Sequence, residues 1–186
     1  MACWGDNAVG EVGNGSTTTG IFPPGLVASV NNAVELDSGS DTSCVRRSTG
    51  AVGCWGAGSF GQIGDGTGML RRTISPVSGI TAADQISVQG STNCARSGGT
   101  IRCWGNNANG QIGDGTMANR FTPASVPGTT WISLGRGINY SCALEPTTAT
   151  PLPVGALCWG ANNFGMLGNG TMGPNVLVPS AVIGLP

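Results

Sequence analysis

The sequence contains no histidine and no lysine, only one tyrosine, and just 9% charged residues. Without histidine, neither a Ser–His–Asp triad nor a histidine-ligated metal centre can form. With 8 arginines as its only cationic side chains against 9 acidic ones, the net charge is −1, and the basic footprint that nucleic acid requires is missing. No apolar run reaches the roughly 18 residues of a membrane-spanning helix. The opening Met-Ala-Cys-Trp-Gly has neither the basic start nor the apolar stretch of a signal peptide, so the chain is expected to begin inside its fold or to have lost a leader.

What is present in excess is glycine, 33 in 186 residues, with 11 prolines and a hydrophobic fraction of 39%. That mixture suits many short strands joined by tight turns. The regular recurrence of Ile, Val, Leu and Trp separates it from a disordered chain. Self-similarity is the dominant signal. Four Cys-Trp-Gly triplets begin at Cys3, Cys54, Cys103 and Cys158, each opening fourteen columns that align without a gap. The copies read CWGDNAVGEVGNGS, CWGAGSFGQIGDGT, CWGNNANGQIGDGT and CWGANNFGMLGNGT. Their Asn-Gly or Asp-Gly pairs at Asn14, Asp65, Asp114 and Asn169 are turn signals. Val12, Ile63, Ile112 and Leu167 supply one apolar anchor per loop, and Trp4, Trp55, Trp104 and Trp159 supply a large core side chain in what should be equivalent environments.

A second half-unit occurs in three copies. Val34-Glu35-Leu36, Ile86-Ser87-Val88 and Ile132-Ser133-Leu134 alternate apolar and polar residues as half-buried strands do, and each leads through a turn to Cys44, Cys94 or Cys142. Pro-bearing stretches such as Ser75-Pro76-Val77 and Thr122–Val126 read as edge strands. Four short strands per period of about 50 residues, without helical periodicity, predict an all-β fold of β-propeller blades over residues 1–186, about three and a half to four repeats with the last incomplete.

These motifs closely resemble the repeats of the regulator of chromosome condensation family, in the cysteine-bearing variety of secreted or surface bacterial proteins. The resemblance covers nearly the whole chain. It implies a propeller, usually of seven blades, and a binding scaffold rather than an enzyme: family members include an exchange factor for a small GTPase, a secreted β-lactamase inhibitor and a plant ultraviolet-B receptor. The family often carries His-Thr or His-Ser before the cysteine column, where this sequence has Thr42, Thr92 and Tyr140. That departure, with the acidic composition, argues against the exchange-factor and chromatin roles.

Six of the 7 cysteines fall into hairpin pairs, Cys44–Cys54, Cys94–Cys103 and Cys142–Cys158, on strands expected to lie side by side. Facing positions on antiparallel strands come within reach of a disulfide after small adjustment. A metal reading lacks CxxC spacing and histidine, while reduced core cysteines are the plainer alternative. Three pairs in register favour disulfides, and hence a periplasmic, cell-surface or secreted location. The segment Thr147–Pro153 is an insertion within the third hairpin and is expected to bulge outward as the most mobile turn. Cys3 is left unpaired. Since four first halves accompany three second halves, the two ends are alike and cannot close a ring on each other; the chain is expected to be either a piece of a longer array or a unit that associates end to end.

No catalytic or cofactor site is discernible. Asp65 and Asp114 read as turn formers, with weak calcium binding as a lesser possibility because each loop offers one carboxylate. Asn7, Asn107 and Asn162 share a column and are expected to cap local backbone. Arg71, Arg72 and Arg120 are candidate contacts to an acidic partner, or simply solvated loop charge. Trp131, where other copies have Ala33 or Gln85, is a candidate surface aromatic for a sugar or protein, or a cover for a blade edge. The expected function is an extracellular, non-catalytic module binding a protein or glycan; the alternative is a structural building block of a surface layer, sheath or fibre.

Overall fold

The computed structural model describes the chain apart from residues 17, 129, 147–153, 185 and 186; the insertion Thr147–Pro153 thus lies outside the described residues. Among the described residues every regular element is a β-strand. The first sheet has two strands, β1 (Ala2–Gly5) and β2 (Phe22–Leu26). Three antiparallel four-stranded sheets follow. The first is β3 (Ala33–Ser38), β4 (Thr42–Arg47), β5 (Val52–Gly56) and β6 (Arg71–Pro76). The second is β7 (Gln85–Gln89), β8 (Thr92–Ser97), β9 (Thr100–Gly105) and β10 (Arg120–Ser125). The third is β11 (Ser133–Arg136), β12 (Tyr140–Pro146), β13 (Val154–Asn162) and β14 (Gly173–Ala181). In each, neighbours in sequence are neighbours in space, as in a propeller blade. The two-stranded sheet corresponds to the last two strands of such a blade.

Every Cys-Trp-Gly triplet lies on a third strand, and the Pro-bearing segments form the outer edge strands β6 and β10, where a missing N–H disturbs no ladder. Cys44 faces Cys54, Cys94 faces Cys103 and Cys142 faces Cys158 across the hairpins. All three pairs are disulfide-bonded, with Cα atoms 4.1, 4.0 and 4.1 Å apart. Cys3 has no sulfur partner among the described residues, and burial pushes its thiol pKa up against a small opposing pull from the N-terminal charge.

The core lies between blades. One cluster joins Val52, Ile63, Val77 and Ile80 of the first full blade to Ile86, Val88 and Trp104 of the second. The next joins Ile101, Ile112 and Val126 to Trp131, Leu134 and Trp159. The four repeat tryptophans are not equivalent. Trp55, Trp104 and Trp159 are 0% exposed, but Trp4 is 68% exposed. The reason is geometric. Each buried indole is covered by the loop of the blade before it, and no described residue plays that part for Trp4.

The loop that follows each third strand reaches forward onto the next blade. Trp55 Nε1 donates to the carbonyl of Glu11 at 2.7 Å, Trp104 to Gln62 at 2.8 Å and Trp159 to Gln111 at 3.0 Å. The indole packs so closely on the loop that a Cβ built on Gly13 would lie 2.7 Å from Trp55 and one on Gly64 would lie 2.8 Å from Trp104, at backbone φ of +70° and +74°. Glycine is required there on both counts. Further along, Gly15, Gly66 and Gly115 donate backbone N–H to the carbonyls of Arg72, Phe121 and Leu177 on the next outer strand, each at 2.9 Å.

Candidate functional site

These forward-reaching loops carry the exposed chemistry of the molecule, and their backbones are held from inside. Asn7, Asn107 and Asn162 are 0, 0 and 1% exposed. Their Oδ1 atoms accept the N–H of Val12, Ile112 and Leu167, five residues on, at 3.1, 2.9 and 3.2 Å. Their Nδ2 atoms donate to the carbonyls of Ser16, Thr116 and Thr171. The asparagine column therefore spans the whole loop, a wider role than the local turn expected from the sequence. The second loop has Gly58 in this column, and a Cβ there would run into the Met69 carbonyl. Gln62 and Gln111, 2 and 1% exposed, hold their loops similarly, their Oε1 atoms accepting the N–H of Phe60 and Asn109 at 2.8 and 2.9 Å.

Asp65 and Asp114 are turn formers and more. Oδ1 of Asp65 accepts the hydroxyl and N–H of Thr67 at 2.8 and 3.0 Å, and its Oδ2 accepts Arg71 Nε at 2.6 Å. Asp114 does the same with Thr116, at 2.8 and 3.0 Å, and with Arg120 Nε, at 2.5 Å. Burial works against ionisation of both carboxyls, but the threonine and arginine hydrogen bonds outweigh it and hold both below the usual carboxylate range. With both oxygens of each engaged, neither carboxylate is set up to receive a calcium ion. Among the described residues no group of three His, Cys, Asp or Glu could hold a metal.

Arg71 and Arg120 are thus bound to their own loops, their side chains 36 and 37% exposed. Arg72 is exposed and makes no ion pair among the described residues. Trp131 is not a surface aromatic. It is 2% exposed and its ring lies 6.0 Å from that of Trp159 at 48°, within the cluster that fills the gap between the second and third full blades. Its indole N–H finds no acceptor among the described residues.

Around the locked loops are large apolar side chains in solvent: Met69 is 63% exposed, Met117 52% and Phe60 43%. Leu70 and Phe121 are exposed beside them. Met69, Leu70, Arg71, Arg72 and Thr73 line a groove of about 470 Å3. Val9 of the preceding loop joins Gly58, Met69 and Leu70 around a second groove of about 270 Å3. An apolar floor with one unpaired guanidinium on a rigid backbone can accept a protein surface. The sequence reading named Arg71 and Arg72 as candidate contacts but missed the apolar side chains beside them, because repetition of Phe60 with Phe164 and of Met117 with Met172 does not say which of them face solvent.

Toward the inner edges, side chains tie blade to blade. Glu35 accepts the N–H of Ile86 at 3.2 Å, Asp37 that of Val88 at 2.7 Å, and Gln85 bonds both N–H and C=O of Leu134 at 3.2 and 3.0 Å. Arg136 reaches back to the Thr92 carbonyl and to the Ser141 hydroxyl. Enclosure of its guanidinium pulls the pKa down to about 9, with Asp37 opposing. Apart from the Arg136–Ser141 bond, which stays within one blade, these bridges join strands of different blades.

Four-stranded antiparallel blades set side by side, inner strands bridged and outer strands clasped by loops, define a β-propeller array. No known protein-family model matches the sequence. Among solved structures, human WBSCR16 superposes with a TM-score of 0.81 at 19% identity, covering 96% of this chain and 46% of that one. Yeast RCC1 (Prp20), solved bound to Kap60, gives 0.65 at 16% identity, covering 100% of this chain and 57% of that one. Prp20p from Saccharomyces cerevisiae, whose binding to Gsp1p and histones was characterised, gives 0.65 at 15% identity, with 100 and 59% covered. The fold is that of an RCC1-like β-propeller, and the chain spans about half the length of these solved structures.

Proposed function

We propose that residues 1–186 act as one extracellular, non-catalytic repeat array that binds a protein partner through the loop rim around Phe60, Met69, Leu70, Arg72 and Met117. The observation that carries this reading is the contrast within the second and third loops. The backbone is fixed by the bonds of Gln62, Gln111, Asp65–Arg71 and Asp114–Arg120, while Phe60, Met69 and Met117 stand in solvent. Rigid presentation of adaptable apolar groups lowers the entropy lost on association. The RCC1-like neighbours support the coarse reading of a protein-binding propeller. Three hairpin disulfides support an oxidising compartment.

The test is capture of proteins from the extracellular fraction of the source organism on immobilised residues 1–186, beside a Met69→Asp/Arg72→Glu variant with an unchanged melting temperature. A partner held by the native protein and lost by the variant is the expected outcome. Equal retention by both, or retention of nothing by either, would sink the rim as the binding site.

A further inference from the structure

The second loop makes the same forward clasp as its siblings, reaching onto the next blade, but its sequence departs from theirs at Gly58, Gly68, Met69, Leu70 and Arg72. Gly58 stands where the other loops have Asn7, Asn107 and Asn162, and Gly68 where the later two have Met117 and Met172. Met69 and Leu70 replace Ala118 and Asn119 of the third loop. Arg72 follows the residue opposite the triplet glycine, the position of Pro23, Phe121 and Leu177 on the other outer strands. All these departures fall on the lining of the two rim grooves. Departures from a repeat that gather at one place on the surface mark a task the other repeats do not share.

The glycine at 58 shapes the site. In the third loop, Asn107 Nδ2 donates to the carbonyls of Thr116 and Ala118 at 2.9 and 3.1 Å, and Asn119 Oδ1 accepts the Asn107 N–H at 2.9 Å. The returning segment is held off by the length of an asparagine side chain, and Asn119 turns inward. In the second loop a Cβ on Gly58 would lie 2.0 Å from the carbonyl oxygen of Met69, the counterpart of Ala118. Residues 68–70 have closed into the space an asparagine would fill, leaving Met69 and Leu70 63 and 38% exposed. These two form a ridge shared by the groove of about 270 Å3, which runs past Val9, Gly58 and Gly68, and the groove of about 470 Å3, which runs to Thr73. No carboxylate lines either groove. Arg71 is committed to Asp65, while Arg72 is exposed and has no acidic partner among the described residues.

We propose that the second loop is a binding site for a protein segment that combines apolar side chains with a carboxylate. One apolar side chain enters the groove floored by Gly58 and Gly68, a second lies beyond the Met69–Leu70 ridge in the larger groove, and the carboxylate meets Arg72. The lining selects this ligand. Methionine adapts its shape to apolar groups. A guanidinium without an acidic partner favours a carboxylate, which can accept two of its N–H groups at once. With no acidic side chain in either groove, an incoming carboxylate meets no like charge there. The inference rests on the loop-rim reading and sharpens it: Gly58 makes the site, and its ligand is acidic.

Fluorescence polarisation with dye-labelled Leu-Glu-Leu-Glu-Leu, Leu-Gln-Leu-Gln-Leu and Leu-Lys-Leu-Lys-Leu peptides tests this on residues 1–186. The glutamate peptide should bind at least about tenfold more tightly than the lysine peptide, with the glutamine peptide between them. Arg72→Gln, at an exposed side chain, should bring the three within about threefold of one another. Gly58→Asn, which restores the residue of the other loops and forces residues 68–70 outward, should weaken the glutamate peptide by about fivefold or more at an unchanged melting temperature. Equal binding of the three peptides by the native protein, binding of none, or a charge preference that survives Arg72→Gln would each overturn the acidic ligand. A folded Gly58→Asn protein that binds like the native one would overturn the site. Should Met69→Asp/Arg72→Glu lose a captured partner while the peptides show no preference, the acidic ligand falls and the rim stands. A peptide preference without any captured partner sustains the acidic site and sinks the wider rim.

Discussion

Asp65 and Asp114 occupy a column that holds asparagine in the other two repeats, and the difference has a partner. Opposite the glycine of each triplet stand Arg71 and Arg120 where the turn residue is Asp, and Phe22 and Val176 where it is Asn. Charge is present on both sides or on neither, while the turn itself forms in all four: Asn14 and Asn169 accept the N–H two residues on, at 2.9 and 3.2 Å. The pairing can be found in the sequence only by aligning the outer strands, which the fourteen-column alignment stops short of. Because both carboxyl pKa values lie below the 3.8 of an unperturbed aspartate, their contribution to stability is complete above that value and fades as pH falls through the lowered one. The arginines are over a third exposed, which discounts each pair to about 1 kcal/mol. Asp65→Asn/Asp114→Asn should therefore lose about 2 kcal/mol in urea titrations at pH 7, and the gap from the native protein should narrow as pH falls below the 3.8 of an unperturbed aspartate.

At the scale of the strand and hairpin, the sequence was most informative where a residue's task repeats. Cysteines in register on adjacent strands led to the three bonded pairs, and alternating triplets such as Ile86-Ser87-Val88 led to the inner strands. It was least informative where one position departs from its siblings. Trp131 carries no sign of which way it faces, and its burial follows only from the neighbouring blade, with Trp159 6.0 Å away. Trp4 shows the converse, an identical residue in an identical column whose environment depends on a surface outside its own repeat. The rim residue Met69 repeats in no column, and Met117 shares its column only with Met172. The disulfides close loops of 10, 9 and 16 residues, for which chain entropy gives about 3 kcal/mol each. Cys94→Ala/Cys103→Ala should accordingly lower the melting temperature by roughly 6–12 °C. Calorimetry of that variant checks the value, and an unchanged melting temperature would show the bond to be idle.

For the molecule as a whole, the forward clasp sets sequence and space out of step. A loop that follows the third strand of one blade spends its hydrogen bonds on the next, so every blade is fastened mainly to its immediate neighbours. Contacts of this kind make a quasi-one-dimensional array, in which separation proceeds unit by unit. The feature has a mechanical meaning. Pulled apart from its two ends, the chain should yield in successive steps as one loop after another peels from its tryptophan. The disulfides keep part of each hairpin from paying out: residues between bonded cysteines, spanning separations of 10, 9 and 16, stay out of the load path. At about 3.5 Å per extended residue, less the roughly 4 Å that each bridge already spans, reduction should lengthen the three steps by about 31, 28 and 52 Å. Single-molecule stretching with and without a reducing agent measures those increments directly, and they make the hairpin cysteines extension stops that keep a tethered array short under tension.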